Sequence, residues 1–170
     1  DPFEIPKEII NEWRKIGKKG ALLENKWNKV FNKKNKKVKD EFSRTISGRL
    51  PNNFDNRIQE IKKKFFELKS SVASRQSSSN VLEEITRSLP ELVGGSADLS
   101  GSNNTKTKQS LIIKSSNFNG NYIHYGVREH GMAGIMNGMA LHGGIIPYGG
   151  TFLIFLDYCK PSVRLSALMG

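Results

Sequence analysis

Apolar residues in the first seventy positions recur every three or four residues, as in Ile10, Trp13 and Ile16, and lysines fill many of the positions between them. This period predicts helices over residues 7–45 and again over 55–69, with a turn around Pro51 between them. Each predicted helix carries a single apolar stripe, so we expect it to pack against another part of the protein.

The pattern changes after residue 70. A serine-rich link over residues 70–79 leads to a helical run over 81–89, which Pro90 ends. Three short apolar strand candidates follow, at residues 91–93, 122–127 and 145–148. Loops follow all three, and helices beginning near Glu129 and Phe152 follow the second and the third. This succession predicts an α/β fold, a partial parallel sheet with crossover helices.

Three strands are few for a sheet of this type, whose faces and edges are normally covered. We therefore interpret residues 71–170 as the first half of an α/β domain with bare sheet edges, and residues 1–70 as a helical linker before it. The chain begins with Asp1 and ends in an apolar run at Gly170, which favours a piece of a longer protein.

The positive charge is concentrated in the predicted linker. Of the net charge of +11, +9 falls in residues 1–69, which hold 19 basic and 10 acidic side chains. A basic surface raises affinity for nucleic acid, so a nucleic-acid-binding module is an alternative of a different class. The lysines are dispersed among Asn and Glu rather than grouped in an arm, so we expect no nucleic-acid partner.

Membrane insertion and disulfide formation are not expected. No apolar run reaches the roughly 20 residues that a membrane-spanning helix needs. The single cysteine, Cys159, has apolar neighbours and fits a buried thiol in a reducing compartment, so we expect a cytoplasmic protein.

Ligands of an open parallel sheet bind beyond the carboxyl ends of its strands, which directs attention to three loops. The first, GGSADLSGSNN over residues 94–104, contains Asp98 and also Ser102, whose hydroxyl can donate to an anion. An exposed flexible connection is the plain alternative. Arg75, where the serine-rich link meets the sheet, is a candidate phosphate clamp, although a single arginine is more often solvated.

The second loop places Glu129 at the start of an apolar helix that also carries a small-residue face of Gly131, Gly134 and Gly138. A glutamate in the first turn commonly complements the helix dipole. Apolar surroundings also favour the protonated form of a carboxyl group, which makes Glu129 an acid/base candidate. The small face allows a close backbone approach, for example by a second copy across a two-fold axis.

The third loop follows Gly149 and Gly150 and supplies aromatic residues at helical spacing, namely Phe152, Phe155 and Tyr158. Core packing is the usual explanation of such a stripe, and a flat heteroaromatic ligand is the alternative. The three histidines lack the spacing of a metal site, so we predict no metal held by this chain alone.

Five ordered motifs together resemble transketolase: ASR at residues 73–75, GGSADL at 94–99, GSN at 101–103, NYIHYGVREHGM at 121–132 and PYGGTF at 147–152. DPFEIPKEI at residues 1–9 is similar to the family's junction after its first domain, so the resemblance covers essentially the whole chain. It implies that residues 1–70 hold the end of a diphosphate-binding domain and a linker. Residues 71–170 are then the first half of a pyrimidine-binding domain.

The resemblance also implies roles for the candidate residues. Glu129 corresponds to the catalytic glutamate that hydrogen-bonds the aminopyrimidine of thiamine diphosphate and promotes removal of the thiazolium C2 proton. The aromatic wall around the pyrimidine corresponds to Phe152, Phe155 and Tyr158, and Asp98 corresponds to an aspartate near the cofactor. Arg75 and Ser102 correspond to contacts for a substrate phosphate.

The implied reaction moves a two-carbon ketol unit from a ketose phosphate to an aldose phosphate, in an active site formed between two subunits of a homodimer. The family's ligands for the diphosphate and for Mg²⁺ or another divalent cation precede residue 1, and further histidines follow Gly170. We therefore expect this chain alone to be inactive and to unfold with poor cooperativity.

Two positions depart from the family pattern. Gly101 replaces the usual proline before the phosphate-contacting serine, and Asn104 replaces a leucine, but neither change removes a reacting group. Dihydroxyacetone synthase is the nearest enzymatic alternative, whereas the REHGM motif at residues 128–132 argues against a deoxyxylulose-phosphate synthase.

Overall fold

The computed structural model describes residues 2–170 and divides the chain into two compact units, one ending at Ser43 and one running from Arg44 to Gly170. The predicted helical character of the first seventy residues is confirmed. Its helices are α1 (Lys7–Asn32), α2 (Lys36–Ile46) and α3 (Phe54–Leu68).

Aromatic rings hold the first unit together. The ring of Trp27 stacks on that of Phe31 with a centroid distance of 4.8 Å, and Phe42 of α2 lies 5.2 Å from Phe31. The side chain of Asn35 caps α2 by accepting a hydrogen bond from the Val38 amide at 2.9 Å. No residue of α1 or α2 is buried, and outside this aromatic cluster the apolar stripe of α1 includes Trp13, which is 71% exposed.

The second unit begins with an ion-paired helical layer. Helix α4 (Ser74–Ile85) presents Glu84 to α3, where Arg57 and Lys64 contact its two carboxylate oxygens at 2.5 and 2.6 Å. The prediction of a serine-rich link over residues 70–79 is therefore wrong beyond residue 73. The predicted helical run over 81–89 also ends early, at Ile85. The residues after it form a turn, in which the Leu89 amide donates a hydrogen bond to the Ile85 carbonyl.

The sheet is parallel, as predicted, and has the strand order β2–β1–β3. In chain order its elements and those that follow are β1 (Leu92–Ser96), the single turn α5 (Ser100–Asn103), β2 (Tyr122–His124), α6 (Glu129–His142), β3 (Ile146–Pro147) and α7 (Leu156–Met169). A 3₁₀ turn, Leu153–Phe155, precedes α7, so the last helix begins later than the predicted residue 152.

Strand β1 extends beyond the predicted residues 91–93 because two glycines lie inside it. Gly94 and Gly95 are buried, and a Cβ atom on either one would collide with a tyrosine ring, that of Tyr148 or that of Tyr125. These glycines make room for aromatic side chains against the strand. The interpretation of this stretch as a flexible connection is therefore wrong for its first part.

The outer edge of β2 is covered at its first residue, so the expectation of bare edges is wrong at that position. The segment over residues 111–113 runs beside it, where the Ile113 amide donates to the Tyr122 carbonyl at 2.8 Å and the Tyr122 amide donates to the Leu111 carbonyl at 3.0 Å. The outward backbone groups of Tyr122, which an edge strand would leave unpaired, are thus satisfied within the chain.

The core of the second unit lies between the sheet and α6. It is centred on Ala97, Tyr125 and Met132. Cys159 of α7 is free and buried, which confirms the predicted buried thiol. Among residues 2–170, no helix has both the length and the hydropathy that crossing a membrane requires.

Candidate active site

The structure brings three of the sequence-predicted site residues to one cleft of about 620 Å³. Arg75 comes from the first turn of α4, Ser102 from α5, and Phe152 from the segment after β3. Arg75 and Ser102 are exposed, so a guanidinium and a hydroxyl are available to an incoming group. Because both are hydrogen-bond donors and one carries a positive charge, the cleft suits an anion such as a phosphate ester.

Buried hydroxyl groups support the base of this cleft. Ser96 Oγ accepts hydrogen bonds from the Leu99 amide at 3.1 Å and from Asn103 Nδ2 at 3.0 Å, and it donates to the Gly150 carbonyl at 3.0 Å. Ser96 therefore connects the strand β1 to the α5 turn on one side of the cleft and to the Gly149–Gly150 turn on the other.

A second junction is the hydroxyl of Tyr122, whose side chain is completely buried. It lies 2.8 Å from Ser100 Oγ and 2.8 Å from Thr105 Oγ1, and Thr105 in turn donates to Asn103 Oδ1 at 2.9 Å. No role for Tyr122 was predicted from the sequence, although the residue lies within the motif at 121–132. The signal that could have found it is a tyrosine within a predicted strand, since a buried tyrosine hydroxyl usually finds a hydrogen-bond partner.

Tyr148, which lines the cleft, stays protonated over a wide pH range. Burial, the largest cause, together with the nearby Tyr122, raises the pKa of Tyr148 to about 12. Its hydroxyl donates to the Thr105 carbonyl at 2.8 Å, which fastens the cleft wall to the loop after α5.

Two residues of the loop after β1 have left-handed backbone conformations. Asp98 has φ of 61° and Asn104 has φ of 55°. Asn and Asp adopt this region more readily than most residues with a side chain, and leucine does so at a higher cost. This explains why asparagine suits position 104, where the sequence departs from the family pattern. Asp98 itself is exposed at the end of β1.

Glu129 is the first residue of α6 and is 8% exposed. It lies on the same helix face as the buried Met132 and Ala133. Within residues 2–170 no side-chain or backbone donor forms a hydrogen bond with its carboxyl group. A carboxyl group without a partner among residues 2–170 is suited to bind a polar group of a ligand.

The aromatic residues after β3 form a row of adjacent rings. The ring of Phe152 stacks on that of Phe155 at 5.8 Å and an interplanar angle of 18°, and Tyr158 follows at 5.9 Å and 36°. Phe152 and Tyr158 are 41% and 65% exposed, so the row is not part of the core. Flat apolar rings that are open to solvent fit the heteroaromatic-ligand alternative better than the core-packing one.

The remaining predicted site residues do not line the same cleft. Asp98, Glu129, Phe155 and Tyr158 lie outside its lining. In the part of the chain that the structure describes, no three His, Cys, Asp or Glu side chains gather as a metal-binding group would require. The structure thus places the cleft with Arg75 and Ser102, the carboxyl group of Glu129 and the aromatic row as separate components.

Family models match both parts of the chain. Residues 70–170 match the transketolase pyrimidine binding domain, and residues 1–51 match the transketolase thiamine diphosphate binding domain. Similar curated proteins include transketolase 2 of Vibrio vulnificus, 44% identical over 99% of this chain, and the transketolase of Buchnera aphidicola subsp. Baizongia pistaciae, 46% identical over 99%. The chain spans about a quarter of the length of these relatives, 26% and 25%.

Solved structures that are similar to this chain are also transketolases. A Pichia stipitis transketolase in complex with sedoheptulose-7-phosphate superposes with a TM-score of 0.84 at 35% identity, covering 99% of this chain and 26% of that one. The transketolase of Leishmania mexicana has a TM-score of 0.80 at 32% identity, covering 98% and 25%. Because one family model spans residues 70–170, which is more than half of the chain, and the relatives agree with it, this chain belongs to the transketolase family.

Proposed function

We propose that this chain is part of a longer transketolase that transfers a two-carbon ketol unit from a ketose phosphate to an aldose phosphate with thiamine diphosphate. The observation that carries the proposal is Glu129, a residue 8% exposed at a helix start whose carboxyl group has no hydrogen-bond donor among residues 2–170. Such a group is available to form a hydrogen bond with a ring nitrogen of a bound heterocycle.

The residues of this chain fit the pyrimidine half of the cofactor. Glu129 would form a hydrogen bond with a ring nitrogen, while the row of Phe152, Phe155 and Tyr158 would pack against the flat ring and exclude water. Asp98, exposed in a strained conformation at the end of β1, is proposed as a further cofactor contact. When bound, thiamine diphosphate supplies the carbanion-stabilising chemistry that carbon–carbon bond cleavage needs.

Substrate binding is assigned to the anion cleft. Arg75 and Ser102 would hold the phosphate of the sugar and leave its carbonyl end free to extend toward the reacting centre. The relatives support this class of substrate, since one Pichia stipitis structure contains sedoheptulose-7-phosphate and another contains xylulose-5-phosphate. The cleft offers such an ester the guanidinium of Arg75 and several hydroxyl groups.

The proposal extends to the assembly of the complete protein. We assign residues 1–70 to the end of the diphosphate-binding domain and its linker, and residues 71–170 to the first half of the pyrimidine-binding domain. Mg²⁺ or another divalent cation would be held upstream of residue 1, where the diphosphate supplies the oxygen ligands it prefers. This chain alone is then inactive.

A homodimer is proposed from the apolar surface of α6 and α7. Ile135 and Leu141 of α6 are 50% and 66% exposed, and Leu168 of α7 is 65% exposed, which is more apolar surface than helices on an isolated domain normally leave open. A cytoplasmic location is proposed from the free, buried thiol of Cys159, which suits a reducing compartment.

The test uses the complete protein that contains this sequence, with xylulose 5-phosphate and ribose 5-phosphate as substrates. We expect sedoheptulose 7-phosphate, and Glu129→Ala should lower kcat by about 100-fold or more, as loss of a general acid/base does. The matched control is Glu8→Ala, which removes an exposed first-turn glutamate from α1. Absence of the seven-carbon product, or undiminished turnover of Glu129→Ala, would refute the proposal.

A further inference from the structure

The polar side chains beneath the cleft form one continuous chain of hydrogen bonds that no step proposed above uses. Its successive distances lie between 2.8 and 3.0 Å. In order, its members are Ser100, Tyr122, Thr105, Asn103, Ser96 and the carbonyl oxygen of Gly150.

The direction of donation along this chain follows from its two obligate acceptors. The Gly150 carbonyl oxygen can only accept, so the hydroxyl of Ser96 donates to it. Asn103 Oδ1 also only accepts, so Thr105 donates its single proton there. Tyr122 must then donate to Thr105, and the hydroxyl at the start of the chain donates to Tyr122. Bonds arranged in one direction polarise and strengthen one another.

The chain spans the two sides of the cleft. Ser100 and Asn103 bracket Ser102 in the α5 turn, and Gly150 begins the segment that leads to Phe152 on the opposite side. A helix of one turn has almost no stability of its own. The position of Ser102 relative to the opposite wall therefore depends on these hydrogen bonds, and water cannot replace those of Tyr122 and Ser96, which are both 0% exposed.

We propose that Tyr122 is a positioning residue for phosphate recognition, because its hydroxyl holds the α5 turn, and with it Ser102, in register with the wall at Gly150. This inference rests on the proposed function, in which Ser102 contacts a substrate phosphate. It requires that loss of the hydroxyl weakens binding of the phosphate group and leaves the chemistry of the two-carbon transfer intact.

The first test is Tyr122→Phe in the complete protein, a change that keeps the buried ring and removes only the hydroxyl. At saturating xylulose 5-phosphate, we expect the KM for ribose 5-phosphate to rise about fivefold and kcat to stay within about twofold. This is the signature of binding lost equally from the ground state and the transition state. The KM for ribose, which lacks the phosphate, should not change.

The matched control is Thr107→Val, which lies near Thr105 on the same loop. Thr107 is 4% exposed and its hydroxyl lies 3.0 Å from Ser110 Oγ, but it belongs neither to the chain nor to the cleft lining. It should leave both KM values unchanged. An equal rise for ribose and ribose 5-phosphate, the same rise in Thr107→Val, or wild-type behaviour of Tyr122→Phe would overturn the proposal.

A second pair of variants decides the question if Tyr122→Phe does not fold. Ser100→Ala removes the first donor of the chain and should raise the KM for ribose 5-phosphate in the same selective way, while Ser100→Thr, which keeps a hydroxyl, should restore it. Equal KM values for the two Ser100 variants would contradict the proposal.

Binding of inorganic phosphate, measured by calorimetry, separates this inference from the proposed function. If the wild-type protein forms no sedoheptulose 7-phosphate, the proposed function fails, and the positioning role is judged by binding alone. Weaker phosphate binding by Tyr122→Phe than by Thr107→Val would support the role of Tyr122, and equal binding by the two variants would refute it.

Discussion

Replacement of Gly95 by alanine should strongly destabilise the sheet. A Cβ atom there would lie 2.6 Å from the carbonyl oxygen of Ile123 in the neighbouring strand and closer still to the ring of Tyr125. The ring belongs to the core, and the strand cannot retreat, because β1 and β2 are joined by hydrogen bonds such as that from the Tyr125 amide to the Ser96 carbonyl at 3.1 Å. Neither the Tyr125 ring nor the neighbouring strand can therefore move away from an added methyl group.

We expect Gly95→Ala to destabilise the second unit by about 3 kcal/mol, the upper part of the range for overpacking a core. This corresponds to a fall of roughly 10 °C in the melting temperature of a unit of this size. The measurement is thermal unfolding of the complete protein followed by near-UV circular dichroism. Activity toward ribose 5-phosphate should fall as well, since Gly95 precedes Ser96, which supports the cleft.

The matched control is Gly101→Ala in the exposed α5 turn, where a Cβ atom would meet nothing within 4 Å and φ is not positive. It should be neutral or stabilise by about 0.5 kcal/mol, because alanine restricts the unfolded chain more than glycine does. A melting temperature for Gly95→Ala equal to that of Gly101→Ala would refute the steric account of the glycine pair in β1.

Three further predictions concern charged and buried groups. The hydrogen bond from Lys64 is the largest cause that lowers the pKa of Glu84, so its contribution to stability is present above about pH 4.3 and is lost as the pH falls through the lower folded-state value. Glu84→Gln should accordingly cost about 1–2 kcal/mol at pH 7 in a denaturant titration, a difference that shrinks in acid; equal stability at pH 7 would contradict the role of the pair with α3. Arg75→Ala should raise the KM for ribose 5-phosphate about tenfold with kcat nearly unchanged, and an unchanged KM would remove this residue from the anion cleft. Cys159, 4% exposed, should react with a thiol reagent only as the protein unfolds, and rapid labelling of the native protein would show that α7 opens easily.

Local patterns were sufficient for the elements with a clear period. The helices of the first seventy residues were predictable from spacings such as Ile10, Trp13 and Ile16, because a 3.6-residue period is imposed by the helix itself. The parallel sheet also followed from the order of strand, loop and helix, since parallel neighbours require a crossover. Motif order alone was enough to indicate the family, and the family models confirm it.

Sequence reasoning failed where distant residues decide local conformation. The Gly94–Gly95 pair is typical of a flexible loop when viewed locally, yet two tyrosine rings from later in the chain pack against it and keep it in a strand. The serines after residue 73 favour a linker by composition, whereas Glu84 of the same helix pairs with Arg57 and Lys64 of α3 and holds it in place. Propensity is a weak term, and such contacts override it.

In the candidate site, too, some features follow from the sequence and others only from the tertiary structure. The sequence alone determined which residue types are available, namely the carboxyl group of Glu129, the aromatic residues after β3 and the donors Arg75 and Ser102. Only the tertiary structure decided that Arg75 and Ser102 share one cleft and that Tyr122 lies beneath it in a directed chain of hydrogen bonds. The physical reason is that a donor, an acceptor and their direction are properties of side chains brought together by folding, and no single stretch of sequence contains them.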